Sequence, residues 1–543
     1  MADSLLLQSL MNCTSTRLPY RQTGAFSKIA MDYIDQADSL KPFFAHPPTI
    51  QGIQKAIDNR KKFSTNRELL VQELKKQYEG TAAGDRVTKN IESLLSADTF
   101  TVTTAHQNNI FSGPLYFIYK ILHAIKLADS LKTSLPQYNF VPVFYIGSED
   151  ADLEELNHIH LGGEKLVWNT KQTGAVGRMK VDKELLKLIA IMEGQLMVLP
   201  HGNEIVSLLK QCYKEGDTIR QATFQLVNAL FAAYGLIVLL PDNPALKKLM
   251  VPLFRDEILN QQSADIVETS ADKLENAGYK VQASGREINL FYLKDDLRNR
   301  IELRNGTYHV VDTTLRFSED EILQELEQHP ERFSPNVILR GLYEETILPN
   351  IVFIGGGGET AYWLQLKSLF ENYKVPFPVL VLRNSFLLVE RKWQEAINKL
   401  DFTIEDFFLA ERELMNKLVE RDSKNEIKLN GSLSELEKLY ESFKKQAAAV
   451  DTTLEKHVDA LKSKTVYRLQ ELEKKMLRAE KRKFSDQQRQ IQSIRTHLFP
   501  GNGLQERNEN ISYYFAKYGR EIIRAIYDNS LTLEQEFVIL SEK

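Results

Sequence analysis

The pattern of hydrophobic and polar positions divides the chain into strands and helices. Phe100–Thr103 is a short run of aromatic and β-branched residues, which is typical of a strand. A polar, turn-rich stretch follows over 104–112, and from Pro114 the apolar residues recur at helical spacing. The pattern therefore predicts a strand, a polar loop and a helix. In an open α/β sheet, this order places a ligand site at the carboxyl end of the strand.

Further apolar runs predict more strands of the same sheet. Phe140–Gly147 is almost entirely apolar, as expected of a parallel strand that is buried on both faces. Similar strands are predicted after Gly235 and at 350–354, and residues 378–390 predict a last strand pair. By contrast, residues 279–312 alternate in polarity and contain turn signals, which predicts antiparallel strands in a small insertion.

A long stretch near the carboxyl end predicts a coiled coil. Residues 432–499 contain neither Gly nor Pro, and their apolar residues recur every three or four positions. Ser432 and Glu435 match a capping box. The stretch is either one helix of about 100 Å or a folded-back pair with a break near 462–464. Because such an arm has an apolar seam, we expect it to form a homodimer.

These patterns divide the chain into four parts. The parts are a helical lead-in at 1–97 that packs on the core, an α/β core at 98–430, a coiled-coil arm at 431–499 and a helical segment at 500–543 that returns to the core. The first and last parts contain helix-forming, amphipathic sequence.

Composition and charge disfavour several classes of protein. The chain has 543 residues, of which 43% are hydrophobic and 26% charged, and its net charge of −4 disfavours nucleic acid or an anionic membrane as a partner. The basic cluster at 474–483 is interpreted as a solvated face of the arm. No apolar run reaches the roughly 20 residues of a membrane span, and the first ten residues lack the basic region of a signal peptide. With only two cysteines, Cys13 and Cys212, the sequence predicts a cytoplasmic protein.

Acidic residues follow the predicted strand at 140–147. Glu149, Asp150 and Asp152 lie where parallel sheets bind ligands, and they could bind an amine, a hydroxyl or a metal. The alternative is a solvated turn that caps the next helix. His158 and His160 would share a strand face, but the spacing predicts no third ligand, so we expect no metal site.

Four consecutive glycines, Gly355–Gly358, follow the predicted strand at 350–354 and precede a helix that begins near Glu359. Glycine allows a backbone to approach a ligand closely. The loop lacks both the Gly-Lys-Ser/Thr of a P-loop and the GxGxxG spacing, so it predicts a binding loop without specifying the ligand. Arg383 follows the next strand and is suited to a carboxylate or phosphate, or alternatively to a salt bridge at the rim.

Six segments together resemble the bacillithiol biosynthesis cysteine-adding enzymes, the BshC family. They occur in the family's order over nearly the whole chain: YRQTGAF at 20–26, VTTAHQNNIFSGPLYFIYK at 102–120, PVFYIGSEDADLEELNH at 142–158, GLIVLLPDNPALK at 235–247, IGGGGETAYWLQLK at 354–367 and LFPGNGLQERNEN at 498–510. The resemblance implies a Rossmann-like core with connective insertions and a coiled-coil domain that dimerises. It also implies a ligase that joins L-cysteine to the amine of glucosaminyl-malate in the last step of bacillithiol synthesis.

The resemblance also implies a cofactor. The core is similar to class I aminoacyl-tRNA synthetases and to the cysteine ligase of mycothiol synthesis, which implies that ATP activates the cysteine carboxylate. The nucleotide would be held as ATP or ADP, with Mg²⁺ only as its companion. The sequence lacks HIGH- and KMSKS-type motifs. Another aminoacyl- or nucleotidyl-transferring enzyme is the first alternative, although the absence of these motifs argues against a class I synthetase. A coiled-coil scaffold with an inactive core is the second alternative.

The resemblance and the loop chemistry together suggest site residues. The catalytic candidates are His106, Glu149 and Asp150: either carboxylate could hold the ammonium of cysteine or accept a proton from the attacking amine, and His106, with an ordinary pKa near 6.5, is the other base candidate. The substrate-binding candidates are Thr103, Thr104, Gln107, Gly113, Pro114, Ser148, Asp152, Tyr362 and Arg383. The nucleotide-binding candidates are Gly355, Gly356, Gly357, Gly358 and Glu359.

The chain departs from the family's pattern at three positions within these loops. Ala105 stands where Gly is usual, Ala151 where His is usual, and Gly357 where Pro is common. The first change could alter the turn after the strand. The second weakens any proposal that a histidine at that position performs the chemistry.

Overall fold

A computed structural model describes residues 13–425 and 427–543. The first ten residues, on which the expectation of no signal peptide rests, lie outside the described part. The strands are β1 (Cys13–Pro19), β2 (Thr99–Gln107), β3 (Asn139–Gly147), β4 (His158–Leu161), β5 (Glu164–Val167), β6 (Ile237–Leu239), β7 (Leu290–Lys294), β8 (Leu297–Arg304), β9 (Thr307–Val310), β10 (Arg316–Phe317), β11 (Phe333–Pro335), β12 (Asn350–Gly355), β13 (Val379–Leu382), β14 (Phe386–Val389) and β15 (Glu536–Glu542).

Helices occupy much of the chain between these strands. They are α1 (Tyr20–Thr23), α2 (Lys28–Ile34), α3 (Ile50–Arg60), α4 (Arg67–Gln77), α5 (Asp85–Ser93), α6 (Tyr116–Ser134), α7 (Leu153–Leu156), α8 (Lys183–Leu196), α9 (Gly202–Cys212), α10 (Ile219–Phe231), α11 (Pro244–Lys248), α12 (Val251–Asn260), α13 (Gln262–Asn276), α14 (Glu319–Gln328), α15 (Val337–Ile347), α16 (Gly357–Trp363), α17 (Lys367–Asn372), α18 (Arg391–Lys399), α19 (Glu411–Asp422), α20 (Asn430–Val450), α21 (Leu454–Lys481), α22 (Ser485–Leu498), α23 (Ile511–Tyr518) and α24 (Glu521–Asn529). Within the described residues, no helix is both long and apolar enough to cross a membrane.

A five-stranded parallel sheet forms the centre of the fold, in the order β13-β12-β2-β3-β6. The chain runs from β2 to β3 and β6 on one side, and later places β12 and β13 on the other side of β2. The strand order therefore reverses between β2 and β12, and parallel sheets bind ligands in the crevice at such a point. This arrangement confirms the predicted α/β fold.

Strand β2 is longer than the sequence predicted. Residues 104–107, which we assigned to a polar loop, continue the strand because they pair in parallel with β3 as far as Gln107 and Gly147. Helix α6 then begins at Tyr116, close to the predicted start at Pro114. The consequence is that the polar residues His106 and Gln107 are held rigidly at the edge of the sheet.

The predicted insertion is an antiparallel sheet in the order β10-β9-β8-β7-β11. The expected range of 279–312 is only partly right, because residues 280–289 form no strand and the sheet continues to Pro335. Strand β11 joins through pairs such as Phe333 with Tyr292. Such a pairing is a tertiary contact that no local pattern reveals.

A three-stranded sheet in the order β1-β15-β14 brings the two ends of the described chain together. Strand β1 pairs antiparallel with β15 over its whole length. The prediction of a mostly helical lead-in at 1–97 and of a helical segment at 500–543 misses these two strands. The predicted strand pair at 378–390 is also wrong, because β13 belongs to the parallel sheet and β14 to this one.

Val389–Asn502 form a separate compact unit. Its helices α20 and α21 fold back on each other, with a 2.7 Å ion pair between Lys444 Nζ and Asp459 Oδ2. The arm is therefore a folded-back pair. Its break lies at Asp451 and not at 462–464, because the Asp451 carboxylate accepts hydrogen bonds from the backbone and hydroxyl of Thr453, which compete with helical bonding.

The boundary of this unit also differs from the sequence expectation. Residues 389–430, which we assigned to the α/β core, belong to the coiled-coil unit because α19 packs on α21 and α22. Helix α20 already begins at Asn430, so Ser432 and Glu435 lie inside its first turns and do not form the expected capping box.

Candidate active site

A cavity of about 750 Å³ opens at the carboxyl edge of the parallel sheet. Its wall includes His106 at the end of β2, Gly147 at the end of β3 and the glycine loop after β12. The antiparallel insertion contributes Arg298, and helix α15 contributes Arg340. The cavity therefore lies beside the point where the strand order reverses, which is where the sequence predicted a ligand site.

His106 and Gln107 both line the cavity. Burial lowers the pKa of His106 well below its ordinary value of 6.5, and the charges of Lys120 and Arg383 lower it further. The imidazole is therefore neutral at pH 7. Its buried Nε2 atom has no hydrogen-bond partner among the described residues, so it can bind a ligand group. As a base, however, it is weaker than an ordinary histidine.

Thr103 and Thr104 hold the sheet together and do not line the cavity. Both are fully buried. The hydroxyl of Thr103 donates to Asn350 Oδ1 at 2.8 Å, and that of Thr104 donates to the backbone oxygen of Ile354 at 2.8 Å. These bonds join β2 to β12, so the structure does not bring these two predicted binding residues into the site.

The loop between β2 and α6 is closed by the C-terminal segment. Phe111 and Gly113 have left-handed φ angles of 50° and 61°, and their backbone oxygens accept hydrogen bonds from Asn510 Nδ2 at 2.9 and 2.6 Å. The backbone N–H of Leu115 donates to the same segment at 2.8 Å. Gly113 and Pro114, predicted to bind substrate, therefore position the C-terminal segment.

Asp150 lines the cavity and pairs with Arg340, whose Nη1 lies 2.9 Å from Asp150 Oδ2. Burial acts to raise the pKa of Asp150, but the guanidinium groups of Arg340 and Arg298 outweigh it and hold the pKa at about 2. Asp150 is therefore a fixed negative charge in the site. A carboxylate with so low a pKa is a poor proton acceptor, which weakens the base role expected from the sequence.

Glu149 is adjacent in sequence but is not part of the cavity wall. It forms a buried ion pair with Lys247 and accepts a hydrogen bond from Ser334 Oγ at 3.0 Å. Because the strand ends at Gly147, successive side chains in the turn point to different sides. The structure therefore separates Glu149 from Asp150, although the sequence predicted both as catalytic candidates.

Ser148 and Asp152 also lie outside the cavity wall. Ser148 is fully buried, and its backbone oxygen accepts a 3.0 Å hydrogen bond from the N–H of Gly177. Asp152 caps α7 by accepting a hydrogen bond from the N–H of Glu155 at 3.4 Å. For Asp152, the structure supports the capping alternative that the sequence left open.

The glycine loop presents an open backbone to the cavity, which Gly356–Gly358 line. None of these residues has a left-handed φ angle, and a Cβ at Gly358 would meet no atom within 4 Å. Neither the backbone conformation nor packing within the protein therefore requires glycine at position 358. A ligand that approaches the backbone closely at this position would require it. Gly355 differs, since a Cβ there would lie 3.0 Å from the side chains of Phe353 and Glu359.

The side chain of Glu359 fixes the shape of this loop. Its Oε2 atom accepts a hydrogen bond from the N–H of Gly356 at 2.8 Å, and both of its carboxylate oxygens accept from the buried Lys120 Nζ. Tyr362, one turn further along α16, lines the cavity beside the loop. Of the predicted nucleotide-binding residues, Gly356–Gly358 therefore present their backbone to the cavity, and the Glu359 carboxylate supports that backbone.

Arg383 combines the two roles that the sequence offered for it. It lines the cavity, and its guanidinium lies 5.0 Å from the centre of the Tyr116 ring. It also forms a buried salt bridge of 2.8 Å with Glu506. The C-terminal segment that carries Glu506 therefore holds Arg383 in place at the edge of the site.

Sequence reasoning missed most of the positive charge in the cavity. Besides Arg340 and Arg383, four arginines line it: Arg286, Arg298, Arg300 and Arg507. The guanidinium of Arg298 lies 3.9 Å from the centre of the Phe291 ring, and no carboxylate among the described residues lies within salt-bridge distance of it. The spacing of Arg298 and Arg300 in the predicted insertion was an available signal, because alternate residues share one face of a strand.

His158 and His160 lie away from the cavity wall on β4, with ring centroids 5.6 Å apart. Burial lowers the pKa of each. Among the described residues, no three or more His, Cys, Asp or Glu side chains form a group that could hold a metal ion.

Comparison with known proteins places both units in one family. Residues 11–384 match the model described as "Bacillithiol biosynthesis BshC, N-terminal Rossmann-like domain". Residues 386–542 match the model described as "Bacillithiol biosynthesis BshC, C-terminal coiled-coil domain". The boundary between the two models lies close to the division of the structure at Leu388 and Val389, but the second model also covers residues 503–542, which belong to the first compact unit.

Individual relatives match over nearly their whole length. A protein of Flavobacterium johnsoniae is 39% identical over 96% of this chain and 99% of its own, and one of Flavobacterium psychrophilum is 40% identical over 96% and 98%; both are named "Putative cysteine ligase BshC". A solved structure titled as a putative arginyl tRNA synthetase from Campylobacter jejuni covers 81% of this chain and 94% of its own at 8% identity, with a TM-score of 0.21, which is too low to show a shared fold. The family models and the full-length relatives show that the chain belongs to the BshC family of bacillithiol biosynthesis, with a Rossmann-like domain followed by a coiled-coil domain.

Proposed function

We propose that the protein is a cysteine ligase of bacillithiol biosynthesis, which joins the carboxyl group of L-cysteine to the amine of glucosaminyl-malate. The observation that carries this proposal is the match over both units to a family whose members are named cysteine ligases. The cavity supports it independently, because its charged groups suit the substrates.

The charge of the cavity matches the anionic part of glucosaminyl-malate. Malate carries two carboxylates, and arginine binds carboxylates through two parallel hydrogen bonds. Arg286, Arg298 and Arg507 line the cavity without a carboxylate within salt-bridge distance among the described residues. We therefore propose that these three guanidinium groups provide the positive charge that attracts the malate end of the substrate.

The residues around the glycine loop fit a nucleotide. The room beside Gly358 allows a ligand to approach the backbone of Gly356–Gly358, and Arg383 lies next to the loop. When bound, ATP supplies the free energy that activates the cysteine carboxylate. The protein would contribute backbone N–H groups and the fixed charge of Arg383, which are suited to phosphate oxygens.

The chain's own groups would contribute mainly by orienting the reactants. Asp150, ionised and fixed by Arg340, suits a substrate hydroxyl as a hydrogen-bond acceptor. The neutral imidazole of His106 can accept a hydrogen bond at its Nε2 atom or donate one. Holding an amine and an acyl group in the correct geometry can contribute about 7–11 kcal/mol to lowering the barrier.

We also propose that the protein forms a homodimer through its coiled-coil unit. Apolar side chains of α20 and α21 remain exposed in the single chain, including Val450 at 83%, Leu439 at 49% and Leu472 at 47%. A second copy could cover such side chains. Light scattering coupled to size exclusion would show a mass near 125 kDa for the dimer, twice the chain mass of 62.4 kDa. We propose a cytoplasmic location because Cys13 and Cys212 are free thiols.

The function is tested first in cells. In a strain that lacks this gene, low-molecular-weight thiols are labelled with a fluorescent alkylator and resolved by mass spectrometry. Loss of bacillithiol with accumulation of glucosaminyl-malate would support cysteine addition. Normal bacillithiol, with no second gene of this family in the strain, would contradict the proposal. Absence of glucosaminyl-malate as well would point to an earlier step.

The purified protein gives the direct test. Glucosaminyl-malate, L-cysteine and ATP are incubated with it, and the amide product is measured together with any ADP or AMP. A matched reaction with 3-mercaptopropionate tests whether the amine of cysteine is needed. A matched reaction with glucosyl-malate, which lacks the acceptor amine, should give no amide product.

A further inference from the structure

Glu344 is a buried acid in the wall of the cavity. It lies on α15, and only 2% of its surface is exposed. Its carboxyl group makes no hydrogen bond or ion pair with any other described residue, and its Oε1 atom is fully buried without a partner. A buried polar group that lacks a partner is costly to keep, so an unpaired carboxyl at a cavity wall indicates that a ligand completes it.

The other acids of the cavity wall differ from Glu344. Asp150 is paired with Arg340 and Glu359 with Lys120, so both charges are already matched within the protein. The side chain of Glu155 is exposed to solvent. Among the described residues, Glu344 is therefore the buried acid of this cavity whose charge is unmatched.

The groups around Glu344 favour its neutral form. Burial raises its pKa well above 4.5, and the carboxylates of Glu345 and Glu359 raise it further, whereas Lys120 and Arg340 act in the opposite direction. These four charges are largely compensated by ion pairs within the protein. Glu345 is paired with Arg60, Glu359 with Lys120, and Arg340 with Asp150. Burial raises the pKa of Tyr145 and of Tyr362, so both phenols remain neutral, and a negative charge on Glu344 would raise both pKa values further.

We infer that Glu344 is the amine-binding group of the cavity, which becomes a carboxylate when the primary ammonium of a substrate enters and pairs with it. An ammonium supplies the positive charge and the hydrogen-bond donors that the carboxyl lacks. When it binds, the Glu344 O–H bond breaks and the proton passes to solvent, while the ammonium keeps its own three protons.

This inference rests on the proposed function, because both proposed substrates carry a primary amine. The shared chemistry is an ammonium group, and its source is either the α-amine of L-cysteine or the sugar amine of glucosaminyl-malate. Separate titrations of the two compounds distinguish these sources. The arginines of the cavity cannot bind a cation, and Asp150 and Glu359 are already paired, so Glu344 is the buried acid of the wall that remains for an ammonium.

The test is isothermal titration calorimetry of the full-length protein at pH 6.5, where both amines are largely protonated. Each substrate is titrated in PIPES and in Bis-Tris at equal ionic strength, because neither buffer carries a primary amine that could occupy the site. The difference in heat between the two buffers gives the number of protons released. We expect about one proton to be released per bound amine for one of the two substrates. For that substrate, the analogue without the amine, 3-mercaptopropionate or glucosyl-malate, should release none.

Two variants identify the residue that releases the proton. Glu344→Gln keeps the shape of the side chain and should abolish the proton release and weaken binding of that substrate by about tenfold or more, because it removes a charged hydrogen-bond acceptor. Glu155→Gln removes the other unpaired acid of the wall and should leave the release unchanged. Thermal melting verifies that both variants are folded.

The outcomes separate this inference from the proposed function. Binding of both substrates without proton release, or release that survives Glu344→Gln, would overturn the inference and leave the ligase proposal intact. Release that disappears in Glu155→Gln but not in Glu344→Gln would also overturn it. If neither substrate binds with or without ATP, the proposed function fails, and the inference fails with it.

Discussion

Lys120 and Glu359 form a link between the two loops that flank the cavity. The buried Nζ atom of Lys120 lies 2.8 and 2.7 Å from the two carboxylate oxygens of Glu359 and donates to the backbone oxygen of Ala105 at 2.5 Å. Ala105 lies in β2 and Glu359 in the loop after β12. One ammonium therefore fixes the distance between the end of β2 and the glycine loop.

Removing this link should impair the activity. In Lys120→Met the side chain still fills its site, but Glu359 loses its partner and the glycine loop can shift. A displacement of about 1 Å at such a position can cost about 100-fold in rate, so we expect kcat/KM to fall by about that factor. Lys132→Met, which changes a partly exposed lysine on the same helix that lies outside the cavity wall, is the control and should keep its activity. Equal losses in both variants would contradict a specific role for the link.

The sequence could predict the place of the site but not most of its side chains. The apolar strands and the polar residues that follow them are local signals, so His106, Asp150 and the glycine loop were predicted as neighbours and line one cavity. Glu344 gave no such signal, because it lies inside an ordinary amphipathic helix. Its role depends on the strands that α15 packs against, and a pattern within one helix does not contain that information.

Two residues that are adjacent in sequence can also have different roles in the folded protein. Glu149 and Asp150 are equivalent on chemistry alone, but the turn after β3 directs one toward Lys247 and the other toward Arg340. The pairing of Arg383 with Glu506 likewise joins residues far apart in the chain. The sequence predicted Arg383 as a charged residue after a strand, but only the folded chain shows that it meets Glu506.

The ionisation of Asp150 should make stability depend on pH. Its pKa falls from an ordinary value of 3.8 to about 2 in the folded protein. The resulting stabilisation, about 2 kcal/mol, is complete above the unfolded value near pH 4 and is lost as the pH falls toward 2. Asp150→Asn should therefore lower the melting temperature at pH 6, with a difference from the parent protein that is about half as large at pH 3.

An exposed aspartate provides the control for this comparison. Asp272→Asn on α13 changes a solvent-exposed side chain and should alter the melting temperature little at either pH. A melting difference for Asp150→Asn that is the same at pH 6 and pH 3 would show that the ionised carboxylate is not the source of the stabilisation.

Arg298 should govern the affinity for the anionic substrate. Burial lowers its pKa to about 10, so it remains charged at neutral pH in a poorly hydrated position. A hydrogen bond to such a charged group contributes about 1.5–3 kcal/mol. We therefore expect Arg298→Met to raise KM for glucosaminyl-malate by about 10- to 100-fold, with a smaller change in kcat, measured by initial rates at saturating cysteine and ATP.

The matched control for Arg298 lies on the same strand. Arg304→Met removes an exposed arginine that pairs with Glu302, and it changes the net charge equally. It should leave KM for glucosaminyl-malate near the parent value. A similar rise in KM for both variants would mean that the overall charge, and not the position of Arg298, determines the affinity.

Glu149 should affect stability much more than catalysis. Lys247 is fully buried and pairs with Glu149, and its next carboxylate, Asp242, lies 3.9 Å away. Glu149→Gln leaves the lysine partly uncompensated, and breaking a buried ion pair in this way costs about 3–5 kcal/mol. We expect a marked drop in melting temperature, part of which Glu149→Gln combined with Lys247→Met should restore, because the double variant leaves no unmatched charge.

The same variant separates a structural role from a catalytic one. Removal of a general base typically costs about 10²- to 10⁴-fold in rate. Because Glu149 does not line the cavity, Glu149→Gln assayed well below its melting temperature should lose less than about tenfold in kcat/KM, a bound below the usual range for a base. A loss within the range of a general base, with the melting temperature unchanged, would instead place Glu149 in the reaction and require the turn after β3 to rearrange when substrates bind.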